Sequence, residues 1–346
     1  MTGMNTVRIE RITPEHPQFE EWATVFVTAG RRQWGRDTTA YPPNELAQMW
    51  ESLAHAKVWL AAIDDDGDVV GSAAIGMPTQ DNPHLAGFDV ACLDERAKAL
   101  KHRLVDEVER VCREAGRTTL MIETQTPVGA ANDEAAFFEA AGYAEAQTCV
   151  RNGQRLPVSA DIGAEMRRVI EMNDGYRIET VVGRLPEDWL PERARLAGMM
   201  STDTPLGDLA IEPENWTPER VTAMFDEDER RGRVVVEAVA WHEETGEIAA
   251  FTHVSVPAET PWIAYQDDTL VAKAHRGHRL GYRVKAAVSL ALPQAAPGVT
   301  VQRTWNDETN EHMLRINREL GYEREGTLVE WQKVLDSAPG DAAHDA

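Results

Sequence analysis

Short apolar segments in this sequence occur in pairs, and each pair flanks an acidic turn that contains a glycine. The first pair surrounds Gly67 in LAAIDDDGDVVGSAAI, and the second surrounds Gly246 in VAWHEETGEIAAFTHV. Apolar and β-branched runs on both sides of a glycine turn predict a hairpin of two strands. Two such hairpins, one in each half of the chain, indicate an internal repeat.

A second pair of landmarks has the same spacing. The sequence FFEAAGY ends at Tyr143 and INRELGY ends at Tyr322, and the offset from Gly142 to Gly321 equals the offset from Gly67 to Gly246. The repeat predicts that each half contains a hairpin of strands, then a strand, a turn, a helix, a strand and a helix. The predicted fold class is therefore α/β with a mixed sheet, present in two tandem copies.

Periodicity places individual elements within these copies. The long helix of the first copy presents an apolar face at Leu100, Leu104, Val108, Val111 and Cys112. A strand is predicted to follow it from Thr118 to Ile122, and the second copy is predicted to open with a strand from Tyr176 to Val182.

The length of 346 residues and the apolar content of 42% are sufficient for two domains. We predict an N-terminal domain over residues 1–155 and a C-terminal domain over residues 174–336. A linker is predicted near Asn152 to Asn173, because Asn152 and Gly153 are expected to break the preceding strand. The small and acidic residues 337–346 predict a disordered tail.

The segment from Thr269 to Lys285 reads TLVAKAHRGHRLGYRVK. It predicts a strand, a basic turn with glycines and a helix, so unpaired backbone N–H groups and the positive end of a helix lie together. Such an arrangement binds phosphate groups. Tyr282 follows Gly281 where a P-loop has Lys-Ser/Thr, and two glycines do not complete a Rossmann fingerprint, so neither nucleotide motif fits.

This loop resembles the acyl-CoA pyrophosphate loop of the GNAT N-acetyltransferase superfamily, Arg/Gln-x-x-Gly-x-Gly/Ala. Arg276 matches its first position and Gly281 its last, whereas Arg279 stands where the middle glycine is usual. A second motif resembles the last helix of the family and consists of Asn310, Met313, Ile316, Leu320, Gly321 and Tyr322. Two-copy proteins of this superfamily include mycothiol synthase of actinobacteria, and the two-copy architecture is similar, although no residue here identifies the mycothiol acceptor.

The resemblance implies acetyl-CoA as a cosubstrate and direct acyl transfer in a ternary complex. The residues that it places at the cofactor are Leu270, Val271, Arg276, Gly277, His278, Arg279, Leu280, Gly281 and Asn310. In the first copy the corresponding residues, 96–102, contain no glycine, which disfavours close approach of a pyrophosphate. We therefore expect that copy to be degenerate and mainly structural.

The general base has several candidates. Asp267, Asp268 and His253 are nearest in the inferred topology, Glu237 is more remote, and family members also use a chain of water molecules. Each side chain also has a structural interpretation, such as local hydrogen bonding by Asp268. All three cysteines lie in the first half, which disfavours an acyl-cysteine intermediate in the second copy.

The general acid is unconventional, because Asn317 stands where many family members have a tyrosine close to the CoA sulfur. An amide can donate a hydrogen bond to a thiolate but cannot transfer a proton. Asn317 therefore stabilises the thiolate, or another residue supplies the proton, or the rate is low. Asn310 is expected to contact the pantetheine arm or the adjacent strand, and Asn306 or Asp307 to cap the last helix.

The acceptor is expected to be a small-molecule amine, and Ser201, Asp203 and Asp208 are candidates to face its ammonium group, although a polar loop explains them equally well. The net charge of −23 disfavours nucleic acid and anionic membrane as partners. The spacing of His275 and His278 disfavours a metal site and instead adds positive charge for phosphates.

A cytoplasmic location is expected, because the sequence lacks a signal peptide, a membrane helix and a disulfide framework. The oligomeric state is left open. Two alternatives to acetyl transfer also remain, namely a non-catalytic acyl-CoA-binding or regulatory protein and a transferase of a longer acyl group.

Overall fold

The computed structural model describes residues 7–52, 54–93 and 97–336. The tail predicted at residues 337–346 lies outside the described residues. The chain divides into two compact units. The first contains the described residues of Met1–Gln147, Asp208–Glu212 and Val329–Ala346, and the second contains Thr148–Gly207 and Pro213–Leu328.

The first half of the chain forms the elements of the first unit. In chain order they are β1 (Arg8–Ile12), α1 (Phe19–Trp34), α2 (Pro43–Met49), β2 (His55–Ile63), β3 (Val69–Pro78), β4 (Leu85–Cys92), α3 (Ala97–Glu114), β5 (Thr119–Pro127) and α4 (Ala135–Ala140). The next strand, β6 (Ala144–Arg155), begins in the first unit and continues in the second.

The second unit follows with a similar series of elements. They are α5 (Ala160–Ile170), β7 (Tyr176–Val182), α6 (Leu190–Gly198), α7 (Met200–Asp203), α8 (Pro218–Arg230), β8 (Val234–His242), β9 (Ile248–Val256), β10 (Ile263–Val271), α9 (Leu280–Ala295), β11 (Val301–Asp307) and α10 (Glu311–Glu319). The last strand, β12 (Tyr322–Val334), begins in the second unit and ends in the first.

Each unit contains a mixed sheet. In the first unit the strand order is β1-β2-β3-β4-β5, followed by the end of β12, and in the second it is β7-β8-β9-β10-β11-β6, followed by the start of β12. The pairs β4/β5 and β10/β11 are parallel, whereas the hairpins β2/β3 and β8/β9 are antiparallel. The prediction of an α/β fold with a mixed sheet is confirmed.

The internal repeat is visible in the backbone. The offset that relates Gly67 to Gly246 also carries β2 onto β8, and it carries the start of β3 onto the start of β9. The turn glycines Gly67 and Gly246 have φ values of +91° and +71°, and Gly142 and Gly321 both have +84°. Residues with a side chain avoid this region, so the four glycines hold corresponding turns in the two copies.

The predicted strand break at Asn152 and Gly153 is wrong. β6 continues through both residues to Arg155, and the helix α5 lies inside the predicted linker. Gly153 is required by packing, because a Cβ there would collide with the carboxylate of Glu325 on β12. The strands β6 and β12 are each divided between the two compact units, so the units do not follow the predicted ranges residue by residue. The ranges 1–155 and 174–336 stay a prediction about the sequence repeat.

Each unit buries the apolar face of one long helix against its sheet. In the first unit, all five residues of the predicted α3 stripe are buried, among them Leu104 and Val108 at 0% exposure. In the second, α9 buries Val284 and Val288 against β8, β9 and β10. Fully burying such a side chain contributes about 1.5–3 kcal/mol, so each stripe fixes its helix against the sheet of its own unit, and in the second unit that helix, α9, follows the candidate loop.

Candidate active site

The candidate site begins where β10 and β11 separate. The two strands pair only from Ile263 to Tyr265 on β10, although β10 continues to Val271. A register shift toward β9 lies between Gln266 and Thr269 and marks a β-bulge. Beyond Tyr265 the edge of β10 that faces β11 has no partner among the described pairs, which leaves backbone groups of Leu270 and Val271 available to a ligand.

The basic loop connects the end of β10 to α9 and has two residues in the left-handed region. Gly277 has φ +95°, and Arg279 has φ +55° and ψ +22° immediately before α9 begins at Leu280. Arg279 therefore adopts the conformation that a glycine would adopt easily at the middle position of the family motif. The helix N-terminus and these turns form an exposed cradle of a kind that binds anions.

Gly281 lies between the end of β10 and α10. A Cβ at this position would be 3.5 Å from Val271 Cγ2 and 3.4 Å from Ile316 Cδ1, whereas a Cβ at Gly277 would meet nothing within 4 Å. Gly281 thus marks the inner end of the loop and Gly277 its open side.

Three histidines surround one tyrosine, and two of them, His275 and His278, belong to the loop itself, whereas His242 ends β8. His275 Nδ1 is 3.0 Å from the hydroxyl of Tyr176, and the rings of His242 and His278 are 5.1 and 4.8 Å from the Tyr176 ring. His278 Nδ1 lies 3.6 Å from Asp174. Within the described part of the chain, no group of three or more His, Cys, Asp or Glu side chains is placed to hold a metal ion.

Asp203 pairs with two cations of the same loop. Its Oδ1 is 2.9 Å from Lys273 Nζ, and its Oδ2 is 3.5 Å from Arg276 Nη2. The Asp203 side chain is only 8% exposed, so its carboxylate lies inside the contact while both cations stay largely in solvent. This carboxylate stands next to groups that are expected to bind phosphate.

Ser201 and Asp208, the other residues predicted to face the acceptor's ammonium group, also form hydrogen bonds within the protein. Ser201 Oγ accepts a hydrogen bond from the backbone N–H of Glu214 at 3.1 Å. Asp208 belongs to the first compact unit, where its backbone N–H donates to Ala146. The prediction that these two residues and Asp203 face an ammonium group stays a prediction.

A buried charged cluster lies on the face of β8 and β9 that α6 and α8 cover. Arg193 Nε donates to Glu237 Oε1 at 2.6 Å, and Glu237 Oε2 is 2.9 Å from His253 Nδ1. Burial opposes charge on His253, but hydrogen bonds to Asp228 and Glu237 outweigh it and raise the pKa of His253 to about 10. His253 therefore carries a proton at neutral pH and is unsuited to accept another.

Glu237 is the least accessible of the candidate bases. It is 1% exposed, and although burial opposes its charge, the ion pairs with Arg193 and His253 hold its pKa below the usual value. Glu237 therefore lies in a buried cluster of charges with Arg193 and His253. The prediction of a catalytic role for His253 stays a prediction.

Asp267 and Asp268 occupy the β-bulge on β10. Asp267 is exposed to solvent, but the protein atoms packed around its carboxyl desolvate it and raise its pKa to about 6, although His253 and Arg233 oppose the rise. Burial also raises the pKa of Asp268. Ser255 Oγ donates to Asp267 Oδ2 at 3.2 Å and fixes that carboxylate. An accessible carboxylate that titrates near neutral pH is suited to proton transfer.

Asn317 lies on α10, and Asn310 lies immediately before the first residue of that helix. Asn317 is 1% exposed, and its Nδ2 donates to Asn306 Oδ1 at 2.6 Å, while its own Oδ1 has no hydrogen-bond partner among the described residues. Asn310 accepts from the N–H of Met313 at 3.1 Å and caps α10. The prediction of Asn306 or Asp307 as the cap is wrong, because Asn306 pairs with Asn317 and Asp307 accepts from Thr309.

The sequence does not predict the burial of five cations, namely Arg151, Arg193, Arg283, Lys285 and Arg303, and two of them lie within apolar helical stripes. Arg193 is 1% exposed on α6, between the apolar residues Leu190 and Leu196, and Lys285 is 1% exposed on α9, between Val284 and Ala286. The sequence feature that indicates burial of these two cations is a charged residue within an apolar helical stripe. Such a residue is buried only at a cost, and it therefore indicates a special role.

The first unit differs at the corresponding place. Phe138, which the repeat aligns with Asn317, is fully buried and has an apolar ring where the second copy has an amide. Lys101 pairs with Glu134, and its Nζ lies 4.9 and 5.0 Å from the ring centres of Phe137 and Phe138. Because of these contacts, protein side chains occupy the space beside the start of α3.

No protein-family model matches the sequence, and no curated protein matches it. Solved structures do match. A tandem GNAT protein from the clavulanic acid biosynthesis pathway is 22% identical, with coverage of 97% of this chain and 100% of the other and a TM-score of 0.79. A GCN5-related N-acetyltransferase from Sphaerobacter thermophilus is 14% identical, with coverage of 95% of each chain and a TM-score of 0.66.

A putative acetyltransferase from Pyrococcus horikoshii is also similar, at 14% identity and a TM-score of 0.54, with coverage of 97% of this chain and 92% of the other. At identities of this size, a match over nearly whole chains establishes the fold. The separating strands β10 and β11 and the loop before α9 lie within this shared architecture. The chain has the tandem fold of the GNAT N-acetyltransferases.

Proposed function

We propose that the second unit is an acetyl-CoA-dependent N-acetyltransferase that acts on a primary amine of a small molecule by direct transfer in a ternary complex. The observation that carries this proposal is the position of Asp267. It is an accessible carboxylate with a pKa raised to about 6, at the point where β10 leaves β11 and shortly before the strand ends at Val271. The basic loop before α9 follows directly.

The residues of the second unit fit acyl-CoA. The loop from Arg276 to Gly281 would hold the phosphates, and the backbone of Leu270 and Val271 would hold the pantetheine arm, because that strand edge lacks a described partner. Bound acetyl-CoA would supply an activated acetyl group whose leaving group is a thiol. The unpartnered Asn317 Oδ1 agrees with a ligand near α10.

The first step that the protein's own residues would carry out is removal of a proton from the acceptor. An amine attacks only when neutral, so Asp267 would remove a proton from its ammonium group. The surrounding cluster holds Asp228, Glu237, Asp267 and Asp268 against Arg193, Arg233 and protonated His253, which favours a cationic over an anionic acceptor. The neighbour from clavulanic acid biosynthesis favours a small molecule over a protein as acceptor.

The proposed compartment is the cytoplasm. Cys92, Cys112 and Cys149 are free thiols, as expected under reducing conditions. Within the described ranges, none of the helices combines the length and the apolar character that a bilayer span requires.

The first experiment is calorimetric titration of the protein with acetyl-CoA, followed by thiol release with a panel of amines. Gly281→Glu places a charged side chain between Val271 and Ile316 and should abolish binding. Gly281→Ala is the matched control, because its Cβ meets these residues only at ordinary contact distance and should leave binding within about threefold. One site per chain with amine-dependent thiol release supports the proposal, and failure to bind overturns it.

A second candidate is a non-catalytic acyl-CoA-binding protein. The hydrogen bond from Asn317 to Asn306 favours this candidate. The Asn317 amide stands where many family members have a tyrosine, and here its N–H group is already used within the protein. Saturable binding of acetyl-CoA without thiol release for any amine would support this alternative. Transfer of a longer acyl group would instead appear as faster thiol release with longer acyl-CoA homologues.

A further inference from the structure

Two aromatic side chains lie where β10 and β11 separate. Tyr265 is the last residue of β10 that pairs with β11, and its partner there is Arg303. Trp305 follows Arg303 by two residues, and its ring is stacked with that of Tyr265, with centres 6.2 Å apart and planes inclined by 14°. Both side chains are half-buried, so part of each remains accessible to a ligand.

The two rings project from the face of the sheet opposite to α9. On the α9 face, Gln302 of β11 accepts a hydrogen bond from Ser289 of that helix at 3.2 Å and donates one to Gln266 of β10 at 2.8 Å. Side chains alternate between the two faces along a strand. Tyr265 and Trp305, each an odd number of residues from these glutamines, therefore lie on the other face.

Asp267, the proposed general base, is held next to Tyr265 on this face. Tyr265 pairs with Ser255 on β9, so the two side chains are neighbours, and Ser255 Oγ donates to Asp267 Oδ2 at 3.2 Å. Arg233 belongs to the same group, because it donates to Ser255 Oγ at 2.7 Å and its guanidinium lies 5.8 Å from the centre of the Tyr265 ring. The carboxylate and the Tyr265 ring thus share one small area of the sheet.

Trp305 lies across the opening from Asp267. The described parallel register ends with Tyr265 and Arg303, and two residues further along it reaches Asp267 on β10 and Trp305 on β11. The strands separate here, so the carboxylate and the indole stand on the two sides of the same opening. Arg151 on β6 pairs with Trp305, and its guanidinium lies 5.7 Å from the centre of the indole ring, which fixes the ring on the β11 side.

Burial in the core does not explain the two rings. Among the residues that the structure describes, neither ring belongs to the apolar clusters buried in the second unit. Pockets for small molecules are typically lined by aromatic side chains together with a few polar groups that orient the ligand. The stacked pair beside the Asp267 carboxylate has this composition, so it is suited to bind a ring of the acceptor.

We propose that the acceptor is a primary amine with an aromatic ring that packs against Trp305 and Tyr265 while its nitrogen lies at Asp267, an inference that rests on the proposed function. Aromatic rings prefer offset-stacked or edge-to-face partners with centres about 4.5–7 Å apart, and the stacked pair offers such a position to a third ring. Neighbouring side chains on one face are about 5 Å apart at their Cβ atoms, so about one to three carbon atoms separate the ring from the nitrogen. Trp305 and Tyr265 determine specificity and take no part in proton transfer.

The test compares 2-phenylethylamine with 2-cyclohexylethylamine, which have the same length and differ in the flat aromatic ring. Calorimetry measures the binding of each amine to the protein saturated with CoA, and thiol release from acetyl-CoA measures kcat and KM. The cyclohexyl compound buries at least as much apolar surface, so hydrophobic burial alone predicts no preference for the phenyl compound. We expect wild type to bind the phenyl compound about three- to tenfold more tightly.

Trp305→Leu should abolish this preference, because leucine is apolar but has no ring. Trp305→Phe is the matched control, because it keeps an aromatic ring at the same position and should keep a preference of about twofold or more. In turnover, Trp305→Leu should raise the KM for 2-phenylethylamine about three- to tenfold with kcat within about twofold. The affinity of both variants for CoA should stay within about threefold of wild type, which shows that they are folded. A fall in kcat at unchanged KM would overturn the assignment.

The outcomes distinguish this inference from the proposed function. Absence of acetyl-CoA binding by wild type overturns both. Thiol release or binding without a preference for the phenyl compound, or with a preference for the cyclohexyl compound or for an amino sugar such as glucosamine, overturns the inference alone, as does failure to bind either amine. A preference that depends on the ring at Trp305 supports the inference, and the binding measurement shows it even where no thiol is released.

Discussion

His253 Nδ1 lies 2.9 Å from Glu237 Oε2 on the neighbouring strand, and both side chains are almost completely buried. Arg193 holds the other oxygen of the same carboxylate. One buried carboxylate thus neutralises two cations, and Asp228 at 3.6 Å from His253 Nε2 balances the remaining charge. Because each charge depends on the others, removal of one partner leaves an uncompensated charge in the interior.

We expect His253→Asn to lower the free energy of unfolding by about 3 kcal/mol at pH 6. The folded-state pKa of His253 is raised from 6.5 to about 10. Its stabilisation is therefore complete below pH 6.5 and is lost as the pH rises through 10. Urea unfolding of both proteins between pH 6 and 10 should show a difference that shrinks with rising pH, and a constant difference would contradict the assignment.

Asp267→Asn should lower kcat by about 100-fold or more, because an amide cannot accept the acceptor's proton. The pKa of Asp267 is raised to about 6, so wild-type activity should rise with pH through about 6. That limb should be absent from the variant. Asp268→Asn provides the comparison on the same β-bulge. If its loss of activity were the larger and removed the limb, the base would be Asp268.

Arg279 has a left-handed backbone, and substitutions there separate backbone strain from charge. Arg279→Gly should be close to neutral for thermal unfolding, because glycine adopts φ +55° freely although it loses the contact of Arg279 with Glu319. Arg279→Val should destabilise the protein by about 1–2 kcal/mol more, because a β-branched residue is strained in this region. Equal stability of the two variants would argue against the left-handed turn.

The repeat made the fold predictable, because two landmarks at one offset defined which elements correspond. Local signals were also sufficient for β7 and for the buried stripe of α3. These features depend on residues close together in the sequence. The loop before α9 belongs to the same class, since its glycines and basic residues adjoin one helix start.

The features that escaped prediction depend on distant residues. The sequence predicts a strand break at Gly153, but the missing side chain of this residue accommodates Glu325 from the distant strand β12. Asn310 caps α10 because β11 continues through Asn306 and Asp307 and the helix begins only at Glu311. The protonated state of His253 depends on Asp228 and Glu237 from two other elements. The spacing of residues along the sequence does not show which distant residues contact each other in the folded protein.

Asp203→Asn should strengthen binding of CoA by about two- to fivefold, a small effect because the cations that it pairs with are exposed. The carboxylate competes with phosphate for Lys273 and Arg276, and the amide removes that competition. Calorimetric titration at low and high salt would measure the effect. Asp208→Asn removes the same charge without touching the loop, and an equal gain in that control would attribute the change to net charge alone.

Glu123→Gln should raise the thermal midpoint of the protein at pH 8 and leave it nearly unchanged at pH 4. Burial and the neighbouring Glu330 raise the pKa of Glu123 from 4.5 to about 8. The folded state therefore holds a proton that the unfolded state releases, and wild-type stability declines as the pH rises from 4.5 through 8. Glutamine removes this decline because it never ionises.

Thermal unfolding across this pH range would test the prediction directly. Glu139→Gln, at an exposed position on α4, is the matched control and should show no pH-dependent gain. A gain in Glu123→Gln that was equally large at pH 4 would place the effect in packing rather than in ionisation. The result bears on the first unit alone, because both Glu123 and Glu330 belong to it, and it needs no assumption about the reaction of the second.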